Sequence, residues 1–356
     1  MDPISLMPPP EAIPVSWVWL QIFLIATTFL HFLAMNIMLG SGFIALAGPP
    51  AGVDTEQNSL SRDLVRTLPY SLAFTINFGV APLLFLQTLY GQFFYTSTVL
   101  MAAFWLTIVV LLIISYYLVY LYNFQFERCG HQTLLLGLPI AMFLLISFFF
   151  TNNISIMQDP ASWLGYFSCR GGWMLNLSDS ALLPRYLHFI LSAIAVGGLS
   201  LAVFSDRDQG LTQETRKKRI TYGCNWFTYS TIINFGVGFW FLSALQNNII
   251  ITPDPAGKAF FIMIIASVAF CALSVIYAQS YRIYKATLWT LATIMMMTVA
   301  REIARNSYLQ DYINISELPV NPVYGPFIIF STALLFAIWL IWWMMKKVCS
   351  EMEGKS

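Results

Sequence analysis

Nine long apolar runs divide this sequence, and no other feature constrains its fold as strongly. Each run has the roughly 20 residues that an α-helix needs to cross the hydrocarbon core of a bilayer. The runs cover residues 16–46, 69–95, 98–124, 133–155, 182–204, 222–248, 259–279, 281–300 and 325–345. We therefore predict an all-α chain, a polytopic transmembrane bundle of about nine helices that forms a single transmembrane domain over residues 1–356. The seventh and eighth runs nearly join, so eight spans is the alternative.

The composition supports membrane lipid as the main surrounding of the chain. Hydrophobic residues make up 58% of the 356 positions and charged residues only 10%, which lies far from the balance of soluble domains. The net charge of +1 gives no reason to expect a nucleic acid partner.

The distribution of basic residues predicts an orientation. In a nine-span topology, 13 of the 18 Lys and Arg residues fall on one side of the membrane, including the cluster at 216–219. Because cytoplasmic loops carry the positive excess, we predict a multi-pass protein of the bacterial inner (plasma) membrane, with its N-terminus outside and its C-terminus in the cytoplasm. An eight-span topology would scramble this asymmetry.

Histidines within the apolar runs are the first candidate site residues. His31 lies in the first run and His188 in the fifth, while the third histidine, His131, lies at the edge of the fourth. A neutral imidazole in an apolar bundle is a good axial ligand for haem iron. An ordinary hydrogen bond between helices is the alternative. Arg185 precedes His188 by three residues and so shares its helix face. It could pair with a haem propionate or extend to the lipid headgroups.

A second candidate cluster lies at the end of the eighth run. Glu302 and Arg305 are three residues apart and share a helix face. A salt bridge at the helix end explains them without a cofactor. If haem is present, Glu302 could ligate or flank the iron and Arg305 could hold a propionate. Sequence spacing leaves both interpretations open.

Several short segments of the chain form an ordered set. They are HFL at 31–33 with LG at 39–40, NFGVA at 77–81, QTLYG at 87–91, MQDP at 157–160, RYLH at 185–188 and EIAR at 302–305. No single segment is specific, but taken in this order they resemble segments of subunit I of the cytochrome bd quinol oxidase family.

The resemblance implies a set of haem ligands. His31 and Glu302 would serve haems of the high-spin pair, and His188 would bind a low-spin haem b. Met263 lies where the family's methionine ligand to that haem is expected. Arg185 and Arg305 would hold propionates, and the chain would carry two or three b-type haems.

The sequence also departs from this family. Gln87 stands where the family has a glutamate, and no Asp or Glu occurs between Asp63 and Glu127. Proton relays in membranes run through ionisable side chains, so the family's proton route to oxygen looks broken. The segment that joins the sixth and seventh runs, roughly 249–258, is too short for the family's quinol-oxidising loop.

The favoured function is therefore a haem-bearing, electron-transfer subunit of a respiratory complex that does not reduce oxygen. It would pass electrons between a quinone and a partner redox protein, namely a multihaem c-type cytochrome docked on the outer loops 156–181 and 301–323. The alternatives are a divergent cytochrome bd-type oxygen reductase and a haem-free transporter or membrane anchor subunit. As a whole the chain is interpreted as the membrane subunit of an oxidoreductase complex.

Overall fold

Nine long α-helices form the chain in a computed structural model that describes residues 9–48, 55–129, 133–168, 170–245 and 255–353. Two short 3-10 helices, Pro160–Phe167 and Ile315–Glu317, accompany them in these ranges. The long helices are α1 Trp17–Leu46, α2 Thr55–Leu100, α3 Ala102–Cys129, α4 Thr133–Gln158, α5 Leu182–Arg207, α6 Gln213–Ala244, α7 Pro255–Gln279, α8 Ile283–Leu309 and α9 Tyr324–Glu353. The predicted all-α bundle is confirmed.

Seven of these helices are long and apolar enough to cross a membrane, namely all except α6 and α9. In α9 the apolar stretch of the described residues, Tyr324–Ala337, is shorter than a full membrane span. The first turns of α6 are basic, and its apolar half carries polar residues such as Asn225 and Asn234. The described residues therefore establish a multi-pass integral membrane protein. That α6 and α9 also cross the bilayer stays a prediction.

Glycines let three helices approach one another closely. A Cβ atom on Gly197 of α5 would lie 2.4 Å from the backbone carbon of Gly40 in α1. Similarly, a Cβ on Gly198 would lie 2.7 Å from the backbone oxygen of Gly223 in α6. Such contacts exclude every other side chain, and small residues are a usual means of packing helices in membranes. Helices α1, α5 and α6 are thus held at backbone contact.

Polar contacts define the two ends of the bundle. Gln21, near the start of α1, donates to Glu302 near the end of α8, so these helices run in opposite directions. We call this the Glu302 end. At the opposite end, Arg219 near the start of α6 donates to Asp63 near the start of α2, with an Nη1 to Oδ2 distance of 2.7 Å. We call this the Arg219 end.

Candidate functional site

His31 is held in a defined orientation between α1 and α2. Its Nδ1 lies 3.1 Å from the carbonyl oxygen of Thr75. Because a carbonyl can only accept, Nδ1 carries the proton and Nε2 keeps the lone pair that a metal ion requires. A Cβ on Gly79 would come within 3.0 Å of the ring, so glycine at this position makes room for the imidazole.

His188 is buried between α5 and α6. Among the described residues, its Nδ1 has no hydrogen-bond partner of standard geometry, although the Asn234 side chain lies next to it. The ring of Phe241 lies 6.2 Å from the imidazole, and a Cβ on Gly238 would lie 3.4 Å from it. Oδ1 of Asn234 is buried without a partner in the described chain as well, so this arrangement is compatible with a metal ligand and with a hydrogen bond between α5 and α6.

The two histidines lie at the same depth in the bundle. Helices α1 and α5 both begin at the Glu302 end, and they cross at Gly40 and Gly197. His31 precedes Gly40 by nine residues, and His188 precedes Gly197 by nine. At 1.5 Å per residue, each histidine lies roughly 13 to 14 Å along its helix from the crossing. The structure therefore places at similar depth two histidines that are 157 positions apart in the sequence.

Two phenylalanines adjoin these histidines and each other. The rings of Phe32 and Phe189 lie 5.4 Å apart, on the residues that directly follow His31 and His188. The Phe32 ring lies 6.1 Å from the His31 ring, and the Phe189 ring lies 6.4 Å from the His188 ring. Each imidazole thus has an aromatic neighbour, and these two neighbours lie close to each other.

Glu302 and Arg305 form a buried ion pair beside the histidines. Their side chains are 3% and 1% exposed, and Nη1 of Arg305 donates to Oε2 of Glu302. Gln21 donates to the same oxygen over 3.3 Å. Oε1 of Glu302 and Nε of Arg305 are buried without a partner among the described residues. The predicted shared face is confirmed, and the pair leaves one carboxylate oxygen available.

Tyr90 supports this ion pair from α2. Its backbone has φ −128° and ψ 33°, which kinks α2 at this residue. The fully buried Tyr90 ring lies 5.5 Å beneath the Arg305 guanidinium, and its hydroxyl donates to Asn306. The kink therefore places an aromatic support under the charge. Nothing in the sequence pattern predicted this kink.

Two further arginines converge on the same region. Arg185 is only 7% exposed, lies 5.5 Å over the Phe241 ring and leaves Nη1 without a partner in the described part of the chain. Arg301 lies 5.2 Å over the Phe32 ring, within electrostatic range of Arg185 and of the Glu302–Arg305 pair. Sequence reasoning missed Arg301, although its spacing of four residues from Arg305 placed it on the same face.

This region carries more positive than negative charge. Arg301 and Arg305 interact with Glu302, and Arg185 interacts with Asp179, so three arginines face two carboxylates in the described part of the chain. Buried charges are costly unless they are paired. The arrangement can therefore accept a further anion, such as the carboxylate of a bound ligand.

Met263 is half-buried in the apolar cluster between α7 and α8, where it packs against a core that includes the buried Ala300 and Ala304. Phe241 belongs to this cluster as well and also faces His188. The role of Met263 as a ligand stays a prediction.

Two departures from the family can be placed in the structure. Asp63 lies at the Arg219 end, where it pairs with Arg219, and Gln87 faces outward from α2. The segment 249–258 lies mostly within residues 246–254, outside the described part of the chain. Within that part, no three His, Cys, Asp or Glu side chains cluster as a metal site.

Comparison with known proteins finds a similar fold but no match by sequence. No protein-family model matches the chain, and no curated protein is similar to it in sequence. A chain in the structure of bd oxidase from Geobacillus thermodenitrificans superposes with a TM-score of 0.70 at 13% identity, covering 91% of this chain and 95% of that one. At this identity the likeness concerns architecture alone. The protein is a multi-pass membrane bundle with a bd oxidase-like fold.

Proposed function

We propose that this chain is the membrane-embedded electron-transfer subunit of a respiratory complex, that it holds b-type haem, and that it exchanges electrons between a quinone and a partner redox protein. The observation that carries the proposal is the pair His31 and His188, held at one depth on parallel helices beside a buried, positively charged cluster. The bd oxidase-like fold supports it.

The residues at the site fit haem. His188 presents an unsatisfied imidazole nitrogen, and His31 presents Nε2 because its Nδ1 is bonded to Thr75. Unsatisfied donors on Arg185 and Arg305 suit the two propionates that such a group carries. Glycines beside both imidazoles leave room at the rings.

In this proposal His188 and Met263 hold a low-spin haem, while His31 and Glu302 serve one or two further haems. The prosthetic group supplies one-electron chemistry at its iron. The chain holds and orients the group, excludes water with Phe32, Phe189 and Phe241, and neutralises its carboxylates with arginine. These tasks need no catalytic side chain.

The partner would dock at the Glu302 end. The loop between α4 and α5 exposes Phe167, Trp173 and Leu177 there, each more than half accessible. Exposed apolar side chains next to polar ones are typical of protein interaction sites. A c-type cytochrome, with the Glu302 end facing outward, is the partner that we propose.

The test is the reduced-minus-oxidised absorption spectrum of purified variants. His188→Ala should remove a low-spin b-type signal, and His31→Ala should remove a different part of the haem spectrum. His131→Ala serves as the control and should leave the spectrum unchanged. An unaltered spectrum in His188→Ala would contradict the ligand assignment.

An oxygen reductase is the second candidate, favoured by the likeness to bd oxidase. It predicts oxygen uptake with quinol and a chlorin-like absorption band. The electron-transfer proposal predicts neither, because no Asp or Glu lies between Asp63 and Glu127 to relay protons. Oxygen uptake by the purified complex decides between the two.

A further inference from the structure

A cavity of about 190 Å³ opens between α6 and the C-terminal end of α7, near the Arg219 end. It lies far along α6 from the histidines and plays no part in the site described above. Polar residues from both helices line it, and they are Asn225, Thr228, Tyr229, Gln279 and Tyr281. The thiol of Cys224 also faces it.

The lining favours a neutral ligand with hydrogen-bond acceptors on opposite sides. Asn225 and Thr228 offer an amide N–H and a hydroxyl from α6, and Gln279 and Tyr281 offer the same groups from the end of α7 and the turn after it. No charged side chain belongs to the lining formed by the described residues, so an anionic lipid headgroup would find no counter-charge. The two carbonyl oxygens of a quinone ring match this pattern.

The size and the position of the cavity agree with such a ring. At roughly 30 Å³ for each water in the liquid, the volume corresponds to about six waters, which is of the order of one substituted six-membered ring without its tail. Tyr229 lies at the mouth with 65% of its surface accessible. An isoprenoid tail could therefore extend from the mouth into the bilayer.

Helix α6 connects the cavity to the histidine site. Thr228 lines the cavity and Gly238, ten residues later, packs against His188, so the two sites are roughly 15 Å apart along the helix axis. The family's quinol loop has no equivalent of comparable length in this sequence. A quinone would need another place, and this cavity lies on the helix that contacts His188.

We infer that this cavity binds the ring of a quinone or quinol, an inference that rests on the proposed function for its redox role. In the oxidative direction, one quinol would become one quinone, release two protons to water and give up two electrons one at a time to one-electron acceptors, which the proposed haems would supply. The reverse direction would consume the same electrons and protons.

Photo-crosslinking of the full-length protein in lipid nanodiscs tests this inference. The probe is an azido-benzoquinone with a decyl tail, and the crosslinked peptides are identified by mass spectrometry. We expect labels on the cavity segments 224–232 and 278–281, competed by the same quinone without its azide. The double variant Asn225→Leu/Thr228→Leu should lower this labelling at least tenfold.

Ser243→Leu is the matched control, because Ser243 lies on α6 near the Glu302 end and exposes its side chain. It should label like the unaltered protein. Thr228→Val provides a milder substitution if the double variant does not fold, and it should also reduce the labelling. Labels distributed elsewhere, labelling that both cavity variants retain, or competition by anionic phospholipid alone would overturn the inference.

Haem quantitation on the same samples separates the two proposals. A haem-free protein that is labelled in the cavity would contradict the proposed function and leave quinone binding in place. A haem-containing protein without cavity labelling would contradict the quinone site alone.

Discussion

Buried arginines occur at both ends of this bundle, but they are partnered differently. At the Arg219 end, Arg219 meets one carboxylate, Asp63, and donates a second hydrogen bond to Ser59 over 2.8 Å. At the Glu302 end, Arg185, Arg301 and Arg305 share their carboxylates, and buried polar atoms are left without partners among the described residues. Nε of Arg219 is also buried without a partner in the described part of the chain, so the two ends differ in their charge ratio. One arginine faces one carboxylate at the Arg219 end, and three arginines face two carboxylates at the Glu302 end.

This difference teaches how a structural arginine can be separated from a binding one. A buried charge that is paired one to one fixes the contact between helices α2 and α6. A surplus of buried guanidinium groups implies an anion that the chain does not provide. The histidines lie beside the surplus, so the charge balance and the imidazoles indicate the same region.

The largest expected effect comes from breaking the pair at the Glu302 end. Glu302→Leu leaves Arg305 as an unpaired buried charge, which costs about 3–5 kcal/mol in comparable cases. We expect a marked fall in the thermal unfolding temperature in detergent, together with loss of haem. Normal stability and full haem content would show that the pair has neither role.

The next effect concerns the arginine surplus. Haem b should bind the chain more tightly than its dimethyl ester, which lacks the propionate charges. A charge-assisted hydrogen bond contributes about 1.5–3 kcal/mol, so the preference should be tenfold or more. Arg185→Gln should reduce this preference for haem b, measured by titrating haem-depleted protein. Equal binding of both forms would contradict a role of the arginines in holding propionates.

Helix packing gives a smaller effect. In Gly197→Ala the new methyl group would meet the backbone of Gly40, and overpacking of this kind costs about 1–3 kcal/mol. We expect lower stability and a shifted low-spin haem spectrum. Gly236→Ala is the control, since nothing lies within 4 Å of a Cβ there. If Gly197→Ala and Gly236→Ala had the same stability and the same haem spectrum, the contact between Gly40 and Gly197 would not be what aligns the histidines.

The smallest effect is expected at the Arg219 end. Asp63 is 48% exposed on its side chain, and exposed ion pairs contribute about 0.2–1 kcal/mol. Because Arg219 is buried, Asp63→Asn should lie near the upper limit of that range and leave the haem content unchanged. Loss of haem in Asp63→Asn would contradict the view that only the Glu302 end contributes to haem binding.

Some of this picture could be predicted from the sequence. The apolar runs predicted the helices because a bilayer imposes their length, and the spacing of three residues predicted the contact between Glu302 and Arg305. Spacing could not show that His31 and His188 lie at one depth, because that follows from the crossing of Gly40 with Gly197. The kink at Tyr90 and the position of Arg301 over Phe32 also depend on packing between distant segments.

The most direct test of the central claim is pyridine haemochrome quantitation of the purified chain with its reduced-minus-oxidised spectrum. The account predicts haem b, at two or three per chain, with a low-spin component that depends on His188. A pure, folded and colourless protein would contradict it and would favour the transporter or anchor interpretation.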